Sequence, residues 1–389
     1  MKLLLLINGL ANSGSEQSLI NFINFLDKDK YETTVLVLKG PDTLATLIDK
    51  KVKISYLYKD NPYFDAPLLK GCIKSIKDKK YNYILPLFLC GILRLSKSKL
   101  FTHTINSVRK KVLAPSETFD VAFAYEYVTM KYLINRVKAK KKIVRHNYGE
   151  IIVKQKDKDL FDKCDGIVAL TPLLKEELAE KFSVSKEKIS VIPSNFDNET
   201  IFEKSQEFKP DYSAKYNFVS VGRITELKRF DLIIKSMKIL KNMGFSDFQC
   251  HLVGGTVDNK DNERYFEYIK KLVADLDLEK EIDFVGETLN PFPYVADCDI
   301  YLQASDFEAA SRSVIEALIL GIPCLSTETV GGKALIIPHK NGELAPVGNA
   351  EIFAQKLIDM IKNIDLYSHT PNPIDNEKIM ENYYKLFNL

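Results

Sequence analysis

Strand-sized apolar runs and amphipathic helical segments alternate along this chain, pause at a polar stretch, and then alternate again. Residues 3–7, 33–38, 52–56, 121–125, 142–145 and 166–170 read as strands, several of them with the near-continuous apolar character of strands buried on both faces. Between several of them, residues 16–26 and 173–182 place hydrophobic side chains at helical spacing. Alternation of this kind implies a parallel sheet covered by helices on both sides. After a polar segment containing Pro210, the pattern restarts. Strands are expected at 218–221, 248–253, 282–285, 300–303 and 323–326, with helices at 228–243 and 261–275. The predicted architecture is α/β, with two Rossmann-like, doubly wound domains in series. Ligands of such sheets bind at the carboxyl ends of strands, so a nucleotide would lie in the cleft between the domains.

A chain of 389 residues exceeds what one hydrophobic core usually serves, which also argues for two domains. The expected bounds are 1–195 for the first domain, 196–214 for a linker, 215–370 for the second domain and 371–389 for a terminal helical segment. The opening Met1-Lys2-Leu3-Leu4-Leu5-Leu6-Ile7 reads as a buried strand, because its apolar run is short for a signal peptide and Asn8-Gly9 ends it. No stretch approaches the ~20 apolar residues needed to span a bilayer. Cys72, Cys90, Cys164, Cys250, Cys298 and Cys324 are scattered singly, as buried reduced thiols of a cytoplasmic protein would be. The net charge of +3 conceals an asymmetry: residues 1–190 hold 34 Lys and Arg against 21 Asp and Glu, and the remainder 21 against 31. Different partners for the two halves follow.

The densest chemistry lies in Ser305-Asp306-Phe307-Glu308-Ala309-Ala310-Ser311-Arg312-Ser313-Val314-Ile315-Glu316-Ala317-Leu318-Ile319-Leu320-Gly321-Ile322-Pro323. Gly321 followed by Pro323 marks a helix end. Ser311 stands where an N-cap would, leaving the first backbone N–H groups pointing outward to where a phosphate can sit. Glu308 precedes that helix and Glu316 lies inside it. An anion site flanked by two carboxylates suits a ligand bearing both phosphate and hydroxyl groups, as a nucleotide sugar does. Upstream, Val219-Ser220-Val221-Gly222-Arg223-Ile224-Thr225-Glu226-Leu227-Lys228-Arg229-Phe230-Asp231 puts two cations in the loop after an expected strand.

In this order, with Leu252-Val253-Gly254-Gly255 and Phe284-Val285-Gly286 between them, the two runs resemble glycosyltransferase family four, the retaining enzymes of the GT-B fold. The resemblance covers nearly the whole chain and is weakest between about residues 60 and 115. It implies that Arg223 and Lys228 bind the donor diphosphate, each cation gaining about 4 kcal/mol of gross attraction at ~4 Å and an effective dielectric of ~20. It places Glu316 on the ribose hydroxyls and Glu308 beside the donor sugar ring. Ala309-Ala310 stand where the family often has Gly-Phe, which puts inherited sugar specificity in doubt. Backbone groups of Ala309, Ala310 and Ser311, and the turns at Gly254 and Gly286, would line the donor. Arg312 would touch phosphate or turn to solvent.

In the first domain, Ser13-Gly14-Ser15-Glu16 resembles the family's glycine-rich loop, with Gly14 letting backbone approach the donor. His146 matches the cleft histidine that contacts the donor sugar, and Glu126 ends a strand where an acceptor would face it. The helix at 376–387 resembles the segment that crosses back onto the first domain. Taken singly, Arg223 and Lys228 are also readable as solvated turn charges, Glu316 as a partly buried helix carboxylate paired with a lysine, and His146 as structural.

The implied activity is a retaining, metal-independent transfer of sugar from a nucleotide sugar, a UDP-sugar by family pattern, to a saccharide or lipid-linked saccharide acceptor in bacterial surface-polysaccharide synthesis. Asp297-Cys298-Asp299 has the form of a metal-binding DxD but precedes an expected strand, and is read as structural. The apolar and basic stretch 83–112 is either a core helix with a solvated flank or a surface that grips anionic lipid at the inner face of the membrane. No nucleic-acid module is present in the sequence. Two other classes stay open: a GT-B sugar-nucleotide epimerase, and a non-catalytic scaffold of a polysaccharide-assembly complex.

Overall fold

The computed structural model describes residues 1–10, 14–39, 42–57, 117–147, 155–256, 260–367 and 374–388, with positions 73, 75–77, 84, 115, 371 and 372 besides. The apolar and basic stretch at 83–112 therefore lies outside the described residues but for position 84, as do Cys72 and Cys90. Strands β1 (Lys2–Ile7), β2 (Glu32–Val37), β3 (Lys53–Tyr56), β4 (Thr118–Ala124), β5 (Lys138–His146), β6 (Gly166–Ala169) and β7 (Ile189–Val191) form one sheet. Strands β8 (Tyr216–Val221), β9 (Phe248–Val253), β10 (Ile282–Gly286), β11 (Ile300–Gln303), β12 (Cys324–Thr327) and β13 (Gly342–Ala345) form a second. Every pairing in both sheets is parallel. Helices used below are α1 (Gly14–Phe25), α2 (Pro172–Phe182), α3 (Asn198–Ser205), α4 (Phe230–Asn242), α5 (Arg312–Ile319), α6 (Val330–Leu335) and α7 (Asn376–Phe387).

The strand order is β3-β2-β1-β4-β5-β6-β7 in the first sheet and β10-β9-β8-β11-β12-β13 in the second. Each sheet winds outward from its first strand and then reverses. The reversals fall between β1 and β4 and between β8 and β11, where crevices open at the strand ends. Burial explains the strand assignments. Leu3, Leu5, Leu6 and Ile7 are wholly buried on both faces of β1. Strand β5 begins at Lys138, four residues earlier than expected, because its lysine-rich start is partly exposed and only Ile143–His146 enter the core. Strands β7 and β13 were not anticipated; each is short and sits at a sheet edge.

The two domains are joined twice. The segment read as a linker contains α3, whose N-cap Asp197 accepts from the Thr200 N–H at 3.0 Å. The returning chain ends in α7, whose Ile379, Met380, Tyr383 and Phe387 enter the first domain's core. Tyr383 meets the Phe22 ring edge-on at 4.8 Å, an aromatic contact with favourable geometry. Asn376 latches both crossings together: its Oδ1 accepts from Phe196 N–H and Asn195 Nδ2 at 3.2 Å each, and its Nδ2 donates to Phe196 O at 2.7 Å. Cys164, Cys250, Cys298 and Cys324 are buried free thiols, and no helix among the described residues is long and apolar enough to cross a membrane.

Candidate active site

Strand order brings the two motif runs together. Arg223 and Lys228 leave the carboxyl end of β8, and the loop 304–311 leaves the end of its neighbour β11. Lys228 Nζ lies 2.5 Å from Glu308 Oε1, forming an ion pair with each side chain only about one-fifth exposed. The Lys228 stem passes over Gly222, where a Cβ would sit 3.6 Å from its Cε. Arg223 is exposed and has no ion-pair partner among the described residues. One cation is thus held and one is free to meet a ligand.

The loop bearing Glu308 is fixed from below. Ser305 Oγ donates to Glu308 Oε1 at 3.2 Å and accepts from Gln303 Nε2. Gln303 Oε1 in turn accepts from Ser311 Oγ at 3.0 Å and Ser313 Oγ at 3.4 Å. Ser311 does occupy the N-cap position of α5, but its hydroxyl makes no capping bond. The hydroxyl donates instead to the Gln303 amide, which is 4% exposed and so needs a partner within the protein. Glu308 O also accepts from Gly331 N–H at 2.8 Å, tying the loop to α6.

Ala309 is buried against the first domain, among Met130, Phe161 and Leu174. Arg312 neither faces solvent freely nor stands alone: its Nη2 donates to Glu316 Oε1 at 3.1 Å and its guanidinium lies 4.2 Å from the Phe196 ring centroid. Burial raises the Glu316 carboxyl and lowers the Arg312 guanidinium, each opposed by the other's charge. Where the alternative reading of Glu316 pairs it with a lysine, the structure pairs it with this arginine. Arg312 also reaches the first domain, since a Cβ on Gly14 would fall 3.1 Å from its Cδ. Gly14 therefore works by lacking a side chain at the interface between the lobes.

Gly254 and Gly286 shape the floor. Gly254 has φ +147°, and a Cβ there would lie 1.9 Å from Gly222 O. Its N–H donates to Gly286 O at 2.8 Å, and Gly222 N–H donates to Val253 O at 2.9 Å. The loops after β8, β9 and β10 are thereby laced to one another.

Across the cleft, both oxygens of Glu126 are engaged by the glycine-bearing loop: Asn8 N–H donates at 2.9 Å and Ser15 Oγ at 2.6 Å. The carboxylate sits at the β1/β4 reversal and ties Asn8, just past β1, to Ser15 at the head of α1. His146 ends β5, is 2% exposed, and lies 5.1 Å from the Tyr127 ring. Burial pushes its imidazole down to about 4, so it is neutral at physiological pH. Arg145, adjacent in sequence and equally buried, donates to Ser18 Oγ at 3.0 Å and contacts Ser194 Oγ at 2.5 Å. Sequence reasoning passed over Arg145 and Gln303, although a charge and an amide inside apolar strands are signals of a built polar site. Asp299, of the DxD-like triplet, accepts from Asn217 N–H at 2.7 Å and so braces β8 to β11.

The histidine yields a pH prediction. An unfolded chain protonates this group near 6.5, the folded one only near 4. Between those values the unfolded state binds the extra proton, so this stability is complete above pH 6.5 and is lost as pH falls toward 4. Acidification from pH 7 to 4.5 should cost about 2–3 kcal/mol through His146. Urea unfolding of wild type and His146→Gln across that range measures it. Identical pH slopes for the two proteins would acquit the histidine.

Comparison with known proteins agrees with this arrangement. Residues 12–199 match the family model described as Glycosyltransferase Family 4, and residues 201–372 match that described as Glycosyl transferases group 1. The chain is 28% identical over 355 residues, 91% of its length and 88% of the relative's, to an uncharacterized glycosyltransferase of Haemophilus influenzae. It is also 28% identical over 222 residues, 57% of each chain, to the N-acetylgalactosamine-N,N'-diacetylbacillosaminyl-diphospho-undecaprenol 4-alpha-N-acetylgalactosaminyltransferase of Campylobacter jejuni. In fold it is similar to an S. aureus TarM mutant in complex with Fondaparinux, alpha-GlcNAc-glycerol and UDP, with TM-score 0.71, 15% identity and full coverage of both chains. Two matched family models meeting between two doubly wound domains, with the acidic and basic motifs joined in the cleft, make this chain a glycosyltransferase of family 4, with the GT-B fold.

Proposed function

We propose that the enzyme is a retaining, metal-independent transferase that moves a sugar from a UDP-sugar to a lipid-linked saccharide during synthesis of a bacterial surface polysaccharide. The observation that carries this reading is the pairing of Lys228 with Glu308 at 2.5 Å beside the exposed Arg223, which has no ion-pair partner among the described residues. Cleavage of the sugar–phosphate bond puts negative charge on the departing diphosphate, and fixed cations stabilise that charge as it grows. Lys228 and Arg223 would do so, which is the role a divalent ion fills elsewhere. Glu308 holds Lys228 in place and would itself meet the sugar ring. Glu316 would take the ribose hydroxyls, exchanging part of its contact with Arg312 for them.

The donor base rests on likeness to the UDP-bound TarM fold, and the acceptor class on the Campylobacter relative, whose name specifies a diphospho-undecaprenol acceptor. An anionic, membrane-borne acceptor suits the positive first half of the chain. Work at the inner face of the cell membrane follows from that acceptor.

The test is product analysis with a panel of UDP-sugars, with and without undecaprenyl-diphosphate saccharides. Acceptor-dependent transfer with the anomeric configuration kept is expected. Conversion of the donor sugar with no acceptor present would instead make the protein an epimerase, and donor binding without turnover would make it a scaffold. EDTA should leave the rate unchanged; inhibition reversed by manganese would refute the metal-free mechanism.

A further inference from the structure

Arg229 adopts φ +51°, a left-handed conformation that is uphill for any residue with a Cβ. Ser183 and Asp277 share this geometry, each at the tail of a helix, where such residues are common. Arg229 instead stands at the head of α4, directly after the turn Glu226–Lys228 that carries the paired lysine. Strain of this kind persists where surrounding contacts over-determine it. Here the contacts are identifiable. Arg229 Nε and Nη2 donate to the two Asp231 oxygens at 3.0 and 3.3 Å, and Nη1 donates to Asp306 Oδ1 at 2.9 Å.

The two ends of this bridge differ in character. Asp231 is buried at 5% exposure and also accepts from Tyr265 Oη and Lys235 Nζ at 3.0 Å each, so it is a rigid anchor on α4. Asp306 belongs to the loop after β11 and lies two residues before Glu308. Its N–H donates to Leu227 O at 3.0 Å, next to Lys228. A forked guanidinium thus spans the loop bearing the lysine and the loop bearing the glutamate, holding both to one helix.

We propose that Arg229 is a positioning residue for sugar transfer: through Asp231 and Asp306 it sets the distance between Lys228 and Glu308. This rests on the donor reading given above. Misplacing a charged group by about 1 Å can cost roughly 10²-fold in rate. Glycine at this position removes the fork yet suits the positive φ, so the fold should tolerate it.

The test compares Arg229→Gly, Asp306→Asn and the double variant with wild type. Turnover of UDP-sugars should fall by about tenfold or more in each, with the double no worse than either single, because both break one bridge. Amide hydrogen exchange over residues 225–230 should quicken about tenfold, with the thermal midpoint close to wild type. In a Lys228→Ala background, Arg229→Gly should cause no further loss. Unchanged exchange, or an equal loss in the Lys228→Ala background, would overturn the proposal. A wild type that turns over none of the UDP-sugars would overturn the donor reading and the positioning role with it, while exchange would still report whether the bridge exists.

Discussion

Lys228→Ala should lower sugar transfer by about 10²–10³-fold while leaving the protein folded. The reasoning starts from geometry. Lys228 lies over Gly222 and pairs with Glu308, so its ammonium is already held at the strand ends where a diphosphate would depart. Because little reorganisation is needed at the moment of bond cleavage, its full effect falls on the transition state. Its contribution to folding is far smaller. A partly exposed ion pair is worth about 0–1 kcal/mol, which moves the thermal midpoint of a domain this size by a few degrees at most. Steady-state kinetics beside a thermal melt separate the two effects. Turnover within about threefold of wild type would remove Lys228 from the mechanism.

Gly254→Ala should have the largest effect on stability. A methyl group there would sit 1.9 Å from a backbone carbonyl, Gly222 O, which has no rotamer by which to escape. The φ of +147° is itself a region that residues with a Cβ rarely adopt. Relief requires parting the loops after β8 and β9, and with them the Gly222 N–H to Val253 O bond. A loss of about 3 kcal/mol or more is expected, which is roughly 10 °C in thermal midpoint. Since the same loop leads to Arg223, donor affinity should fall at temperatures where the variant is still folded. An alanine variant that melts with wild type would show that the loops can part cheaply.

The alternation of apolar strands and helices carried most of the fold in plain sight. Strands such as β1 and β6 are written in nearly unbroken apolar runs, and a residue pattern that can only be buried admits few alternatives. What escaped were short elements whose stability comes from neighbours. Strand β13 contributes four residues at an edge and exists because β12 pairs with it. Helix α3 hid in a polar segment whose apolar face, with Ile201 buried against Phe196 and Ile319, becomes visible only once the second domain is in place.

At the site, local spacing revealed which residue types gather but not their partners. The eight-residue interval from Glu308 to Glu316 says nothing of Lys228, which is 80 positions away and arrives through the β8–β11 pairing. Nor does it say that Ser311 would spend its hydroxyl on Gln303, a choice settled by burial. Arg229 was in full view inside a motif, yet its meaning lay in a backbone angle that no side-chain pattern encodes.

Helix α7 completes the hydrophobic interior of the first domain with residues that follow the second domain in sequence. While the ribosome is still making the chain, the aromatic slot around Phe22 and Phe123 has no Tyr383 or Phe387 to fill it. The first lobe, though made before the second, reaches its final packing only after the second lobe and α7 have been made. Completion of the first lobe's interior is thus coupled to the making of the second, because the helix that fills it lies beyond that second lobe in sequence.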